Sequence, residues 1–122
     1  MEEKLYNYNA RVIEVFKGDK IRVDIDVGMS IWVRMEPIKL GRIKTPEMQG
    51  PEEADGKKAR DFLAEKIVGK EILIGTAKDK KGKSGQYLGE IWLKDDDKWI
   101  NINDLMVDSG HAVYTDKTVD TR

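Results

Sequence analysis

A strict alternation of apolar and polar residues in one short stretch limits most what this chain can fold into. Four aliphatic residues occupy every second position, namely Ile21, Val23, Ile25 and Val27. Charged residues fill the positions between them, namely Arg22, Asp24 and Asp26. A period of two is typical of a β-strand with one buried face. A similar stretch runs from Ala10 to Phe16, and Gly18-Asp19 between the two is a turn signal. The chain is therefore predicted to begin with an antiparallel hairpin whose apolar face points inward.

A third strand and a helix are predicted next. Ser30 to Lys44 is rich in β-branched and aromatic residues, and Pro37 within it indicates an edge, a bend or a bulge. Pro51 is suited to the first position of a helix, and acidic residues follow it in the first turn. Gly69 is the stop signal for this helix. Gly56 is predicted to weaken the helix by about 1 kcal/mol relative to alanine.

The second half of the chain repeats the strand pattern. Strands are predicted to begin near Ile72 and Tyr87, and a short helix is predicted over about Asn103 to Ser109. The element order predicts a mainly β (β + α) fold. It is a five-stranded OB-fold barrel, the oligonucleotide/oligosaccharide-binding type, with a helix after strand 3 and a short helix after strand 5.

The length and composition narrow the class of protein. The 122 residues predict a single domain, with a core of about residues 9–114 and a frayed tail at 115–122. There is no cysteine, which excludes disulfides and thiolate metal sites, and no segment approaches membrane-spanning length. We therefore expect a cytoplasmic protein without a membrane partner, from a bacterial or phage setting. A net charge of −1 lowers the expectation of tight nucleic-acid binding.

Four short motifs follow one another in the order in which a known family carries them. They are Gly18-Asp19 between two strands, Leu40 to Glu47 ending in Thr-Pro-Glu, Gly50-Pro51-Glu52 opening a helix, and Gly85 to Glu90 followed by Asn103 to Val107. With these motifs, over roughly residues 9 to 114, the chain resembles the staphylococcal nuclease-like (thermonuclease) family. That resemblance implies the barrel already predicted, together with a third helix for which the chain is expected to be too short.

The resemblance also implies a catalytic site. Active members of the family are calcium-dependent phosphodiesterases that act on DNA and RNA. Two aspartates and a threonine carbonyl hold the calcium, a glutamate activates or orients water, and two arginines clamp the phosphate. By position, Asp19 and Thr45 would be metal ligands and Glu47 the catalytic glutamate. Hard carboxylate oxygens suit calcium, and guanidinium groups suit phosphate.

Three positions depart from the family pattern. Lys44 stands in place of the second calcium aspartate, Lys39 in place of the first arginine, and Gln86 in place of the second. Lys39 keeps a positive charge but loses the bidentate fork, whereas Gln86 loses the charge. The resemblance therefore implies degenerate catalytic positions, with Glu47 and Lys39 retaining residual activity at most. We predict that the Lys44 ammonium lies within salt-bridge reach of Asp19 or Glu47.

Two further features suggest contacts with nucleic acid. Lys80, Lys81 and Lys83 make a basic loop that could bind phosphates, although a solvated turn is the favoured explanation. Tyr87 could stack on a base, although a tyrosine packed in the core is an equal alternative. The three tryptophans are predicted to lie in the core or to cap the barrel.

The expected function is that of a binding module. The barrel would engage single-stranded nucleic acid or a protein partner through a degraded nuclease site, with no cofactor. One alternative is a weak calcium-dependent nuclease on DNA or RNA, and the other is a pure protein-interaction or inhibitor module. The oligomeric state is open.

Overall fold

The computed structural model describes residues 5–81 and 86–115, and within them the side chains of residues 7–76 and 86–115. Two helices, α1 (Glu53–Ile67) and α2 (Ile102–Asp108), are present in this part of the chain, and a 3₁₀ turn at Gly50–Glu52 leads into α1. The strands are β1 (Leu5–Lys17), β2 (Lys20–Asp26), β3 (Trp32–Leu40), β4 (Ile43–Lys44), β5 (Glu71–Lys81), β6 (Tyr87–Asp95), β7 (Lys98–Asn101) and β8 (Val113–Tyr114).

Five strands close into a barrel. The main sheet has the order β3-β2-β1-β5-β6-β7, and β3 also pairs with β6. This last pairing is parallel and joins Ile38–Leu40 to Tyr87–Gly89. The five-stranded barrel with a helix after β3 and a short helix after the later strands is therefore confirmed. Two strands were not predicted from the sequence: Lys98–Asn101, which pairs with the end of β6, and Val113–Tyr114, which pairs with β4.

The irregularity predicted near Pro37 lies two residues earlier. The register of β2 against β3 shifts between Val23 and Ile25, so that Asp24 faces both Arg34 and Met35. Asp24 accepts a hydrogen bond from the Met35 backbone N–H at 2.8 Å and one from Arg34 at 2.9 Å. The Met35 hydrogen bond and then the Arg34 contact hold the pKa of Asp24 below its ordinary value.

The alternation predicted for β2 is confirmed inside the barrel and fails beyond it. Ile21 and Val23 are fully buried and Ile25 is 8% exposed, whereas Val27 is 43% exposed. The prediction for the tryptophans is wrong for Trp32 and Trp99, which are 41% and 53% exposed. Their indole rings lie beside the cationic groups of Arg34 and Lys94 rather than in the core.

Helix α1 covers one side of the barrel, where a glycine permits a close approach. Ala59, Leu63 and Ile67 on its inner face are fully buried. A Cβ atom at Gly56 would lie 2.6 Å from the carbonyl carbon of Glu47, closer than real contacts allow. Gly56 therefore lets the Glu47 backbone rest directly on the helix.

Helix α2 is joined to the barrel by a buried asparagine. The side-chain amide of Asn103 donates to the carbonyls of Gly41 at 2.9 Å and Gly89 at 3.0 Å. Its oxygen accepts from the backbone N–H of Ile91 at 3.0 Å. Asn103 is fully buried, and these three bonds link the ends of β3 and β6 to α2.

An ion-pair network lies beside this asparagine. Arg42 binds both carboxylate oxygens of Glu90, at 2.7 and 2.8 Å, and its guanidinium also lies 3.0 Å from Asp104. These contacts, led by the Glu90 hydrogen bond, raise the pKa of Arg42. The hydroxyl of Tyr114 donates to Asp104 at 2.8 Å, which raises the pKa of Tyr114. The network ties the β3–β4 turn to α2 and β8.

Within residues 5–81 and 86–115, no helix is long and apolar enough to cross a membrane.

Candidate active-site pocket

A buried aspartate forms the centre of the candidate site. Asp19 lies in the tight turn between β1 and β2 and is only 2% exposed. Its backbone carbonyl accepts from Leu40 N–H at 2.8 Å, which fixes the turn against the end of β3. Gly18 allows this turn to pack closely against α1 and Thr45, because a Cβ there would come within 2.8 Å of Ala59 and 3.0 Å of Thr45. The sequence thus places a carboxylate at the junction of β1, β3 and α1.

Two lysine ammonium groups flank this carboxylate. Lys39 Nζ donates to Asp19 Oδ2 at 3.1 Å and to the Ile43 carbonyl at 3.3 Å. Lys17 Nζ lies 3.9 Å from Asp19 Oδ1 and 3.3 Å from Glu47 Oε1. The site therefore pairs two ammonium groups with two carboxylates.

Glu47 and Thr45 lie beside Asp19, and they differ in exposure. The Glu47 side chain is 56% exposed, and its backbone N–H donates to Glu52 at 3.0 Å. Thr45 is 1% exposed. The Thr45 hydroxyl and Asp19 Oδ1 are both buried and make no hydrogen bond with any described residue. The structure brings together Asp19, Lys39, Thr45 and Glu47 as the sequence motifs suggest.

The prediction for Lys44 is wrong. Lys44 is exposed, and no carboxylate in the described part of the chain lies within salt-bridge distance of its ammonium. The cause is strand alternation, because Ile43 and Thr45 on either side are 1% exposed and point inward. Pairing of Lys44 with Val113 in β8 fixes this orientation. Lys44 instead lines an open cavity of about 270 Å³, whose other lining residues include Pro46, Glu52 and His111.

Lys17 is the site residue that the sequence reasoning missed. It is the last residue of β1 and directly precedes Gly18-Asp19. The sequence signal was its position directly before the two-residue turn that carries the buried aspartate, because residues that flank a tight turn are close in space.

The residues predicted to bind nucleic acid lie partly outside the described region. The side chains of Lys80 and Lys81, and all of Lys83, lie outside it. Tyr87 is half-buried, pairs with Ile38 in the barrel closure and packs against the core. Gln86 is half-buried, and its side-chain oxygen makes no hydrogen bond with any described residue.

The fold and the pocket together define a class. The closed five-stranded barrel, with α1 packed where β1 and β3 end, is an OB-fold barrel with a carboxylate pocket at one end. Residues 37–122 match the family model described as staphylococcal nuclease homologue. This match spans well over half of the chain, and the protein belongs to that family. Lys39, Thr45 and Glu47 lie inside the matched region, whereas Lys17 and Asp19 precede it. No curated protein matches the chain at a significant level.

Proposed function

We propose that this protein is a binding module with a degraded nuclease site, which holds the phosphates of single-stranded nucleic acid weakly and does not hydrolyse them. The observation that carries the proposal is the Lys39 ammonium 3.1 Å from Asp19 Oδ2, with Lys17 on the other oxygen of the same carboxylate. The lysines supply the positive charge that the family takes from calcium.

The donor set does not fit calcium. Ca²⁺ takes six to eight oxygen ligands at about 2.3–2.6 Å. Within the described residues there is no group of three or more histidine, cysteine, aspartate or glutamate side chains arranged to hold a metal. A divalent cation bound to Asp19 would also lie against the ammonium groups of Lys17 and Lys39, and like charges at such distances repel. The site therefore offers calcium neither enough oxygen ligands nor a surrounding charge that would attract it, and both are needed for calcium-dependent hydrolysis.

The lysines leave cationic surface for a phosphate. The side chains of Lys39 and Lys17 are 32% and 20% exposed, so part of each side chain faces solvent. Lys44, exposed and without a carboxylate in reach among described residues, adds a third positive charge beside this cluster, in the adjoining cavity that it lines with Thr45. Asp19 and Glu47 balance the charges of Lys17 and Lys39, so the additional positive charge comes from the exposed Lys44 beside the cluster. Such a surface supports weak binding with few phosphate contacts.

Lys44→Ala is expected to weaken binding of a single-stranded oligonucleotide by about two- to fivefold, the usual effect of one exposed ion pair. The slope of log K against log salt should fall by about 0.7, since one phosphate contact is lost. Fluorescence anisotropy over a salt series measures both quantities. Lys58→Ala on the exposed face of α1 is the matched control, because Lys58 is exposed and makes no hydrogen bond or ion pair with a described residue. The proposal would be contradicted by an affinity that does not change with salt concentration, or by equal losses of affinity in the two variants.

Hydrolysis is expected to be absent. Incubation of labelled single-stranded DNA or RNA with the protein should give the same background cleavage in calcium and in chelator. Glu47→Gln should leave that background unchanged, because the glutamate pairs with Lys17 rather than orienting a reactive water. Cleavage that requires calcium and disappears in Glu47→Gln would establish the alternative function, a weak calcium-dependent nuclease.

A further inference from the structure

The β2–β3 hairpin carries a cluster of large apolar side chains that the barrel does not cover. Met29 is 92% exposed, and five neighbours are 38% to 56% exposed. We call this surface the arm patch, and its members are Val27, Met29, Ile31, Trp32, Val33 and Met35.

Part of the arm patch is the core face of the hairpin continued past the barrel. Ile25 and Val33 are cross-strand partners, so their side chains share one face of the ladder. Along that face the exposure rises from 8% at Ile25 to 38% at Val33 and 56% at Ile31. The row of apolar side chains that fills the barrel therefore continues along the hairpin into its solvent-exposed part.

The turn at the tip is rigid and conformationally unfavourable. Gly28, Met29 and Ser30 all have positive φ, at 91°, 58° and 63°. The turn is held by Val27 N–H to Ile31 O at 3.1 Å, with Gly28 N–H to Asp26 at 2.9 Å. Left-handed backbone disfavours residues that have a Cβ atom, and such outliers concentrate at functional sites. A fixed turn that presents an almost fully exposed methionine indicates recognition.

The charges around the arm patch favour a protein over an anionic polymer or membrane. Arg34 and Arg22 are basic residues beside it; Arg34 is already paired with Asp24 at 2.9 Å, and Arg22 donates to the Met35 carbonyl at 3.2 Å and lies 3.9 Å from Glu14. Asp26 and Glu36 have no ion-pair partner among the described residues. Phosphate-rich partners require a basic surface, and this one has more acids than bases.

The size of the arm patch suits a symmetric dimer. Six side chains at these exposures, on the two faces and the tip of the hairpin, together expose roughly 500–600 Å², the upper end of the largest apolar patch on ordinary monomers. With the polar atoms of the hairpin included, this approaches the ~800 Å² per partner of a standard interface. We propose that a second copy of this chain docks on the arm patch by a two-fold, self-complementary contact. In that arrangement Arg34 of each copy keeps its ion pair with Asp24, and the rest of its guanidinium, on a side chain that is 67% exposed, faces the unpaired Asp26 or Glu36 of the other.

Sedimentation velocity over a concentration series tests the dimer. The wild-type protein should pass from monomer to dimer, and Ile31→Lys should raise the dissociation constant at least about tenfold, since it places a charge in the centre of a dry contact. Val68→Lys is the matched control, because Val68 is a similarly exposed aliphatic residue at the end of α1. Both variants change surface residues, and equal melting temperatures for the monomers exclude unfolding as the cause.

Three outcomes would overturn the proposal. The first is a wild-type protein that stays monomeric at the highest concentration, and the second is equal weakening by Ile31→Lys and Val68→Lys. The third is a monomer whose Trp32 fluorescence shifts on adding zwitterionic lipid vesicles and not on adding more protein, which would assign the arm patch to a lipid surface. The result is independent of the nuclease and oligonucleotide assays, because Ile31 lies outside the Asp19 pocket.

Discussion

Asn103→Ala is expected to lower the free energy of unfolding by about 3–5 kcal/mol. The variant leaves the Ile91 N–H and the Gly41 carbonyl without a hydrogen-bond partner, because both groups bond to the Asn103 side chain inside the protein. A buried polar group left without a partner costs about 1–3 kcal/mol, and the lost side-chain volume adds to this. The Gly89 carbonyl is spared, since it still accepts from Gly41 N–H at 3.0 Å. A domain of this size has only about 5–15 kcal/mol in total, so the variant should be close to unfolding.

Urea denaturation followed by tryptophan fluorescence measures this loss. Asn9→Ala is the matched control, because Asn9 lies on the exposed side of β1 and its side chain makes no bond with a described residue. We expect the control to change stability by less than about 0.5 kcal/mol. A loss of unfolding free energy below about 1 kcal/mol in Asn103→Ala would show that water or a shift of α2 supplies hydrogen bonds to the unpaired groups.

Gly56→Ala is expected to destabilise the protein by about 2–3 kcal/mol, although helix propensity alone predicts a gain of about 1 kcal/mol. The new Cβ would lie 2.6 Å from the Glu47 carbonyl carbon and 3.0 Å from the Met48 Cα. These are backbone atoms and cannot rotate away, so α1 or the Thr45–Met48 segment must move. Forcing an extra carbon into such a contact typically costs about 1–3 kcal/mol and occasionally more.

The same experiment distinguishes this clash from a general intolerance of alanine. Gly41→Ala is the control, because a Cβ at Gly41 would find its nearest neighbour 3.7 Å away, an ordinary contact. Thermal unfolding of both variants gives the comparison. A more stable Gly56→Ala protein would mean that the approach of Glu47 to α1 is looser than the structure has it. A shift of Glu47 should also weaken its ion pair with Lys17, at 3.3 Å in the native protein.

Much of the fold could be predicted from sequence because its signals are local. The period of two in β2, the Gly18-Asp19 turn and the proline before α1 each act over a few residues, and the strand, the turn and the helix are all present, although Pro51 lies in the 3₁₀ turn just before α1. The barrel followed from their order. Strand alternation cannot show where a barrel ends, however, and so Val27 was predicted to be inward when it is exposed.

The candidate site was harder to predict because it depends on contacts between distant segments. Lys44 was assigned from a position in a motif, but a two-residue pairing with β8 turns its side chain away from Asp19. The pairing with Lys17 was missed because its partner Glu47 is thirty residues further along the chain. The role of Gly56 was misjudged for the same reason, since its constraint comes from Glu47 and not from the helix.

The parallel pairing that closes the barrel has a consequence for how the chain folds. Ile38 and Tyr87 become neighbours only when about fifty intervening residues, including α1 and β5, form a closed loop. Closing a loop of this length costs conformational entropy before the pairing stabilises anything, and the other strand pairs of the barrel are antiparallel. Hairpins β1–β2 and β5–β6 should therefore form early, and the pairings that close long loops, β1–β5 and β3–β6, should form after them. Asn103 joins Gly41 and Gly89 across the β3–β6 pairing, so we expect its hydrogen bonds to form late and their loss to speed unfolding of the barrel more than it slows folding.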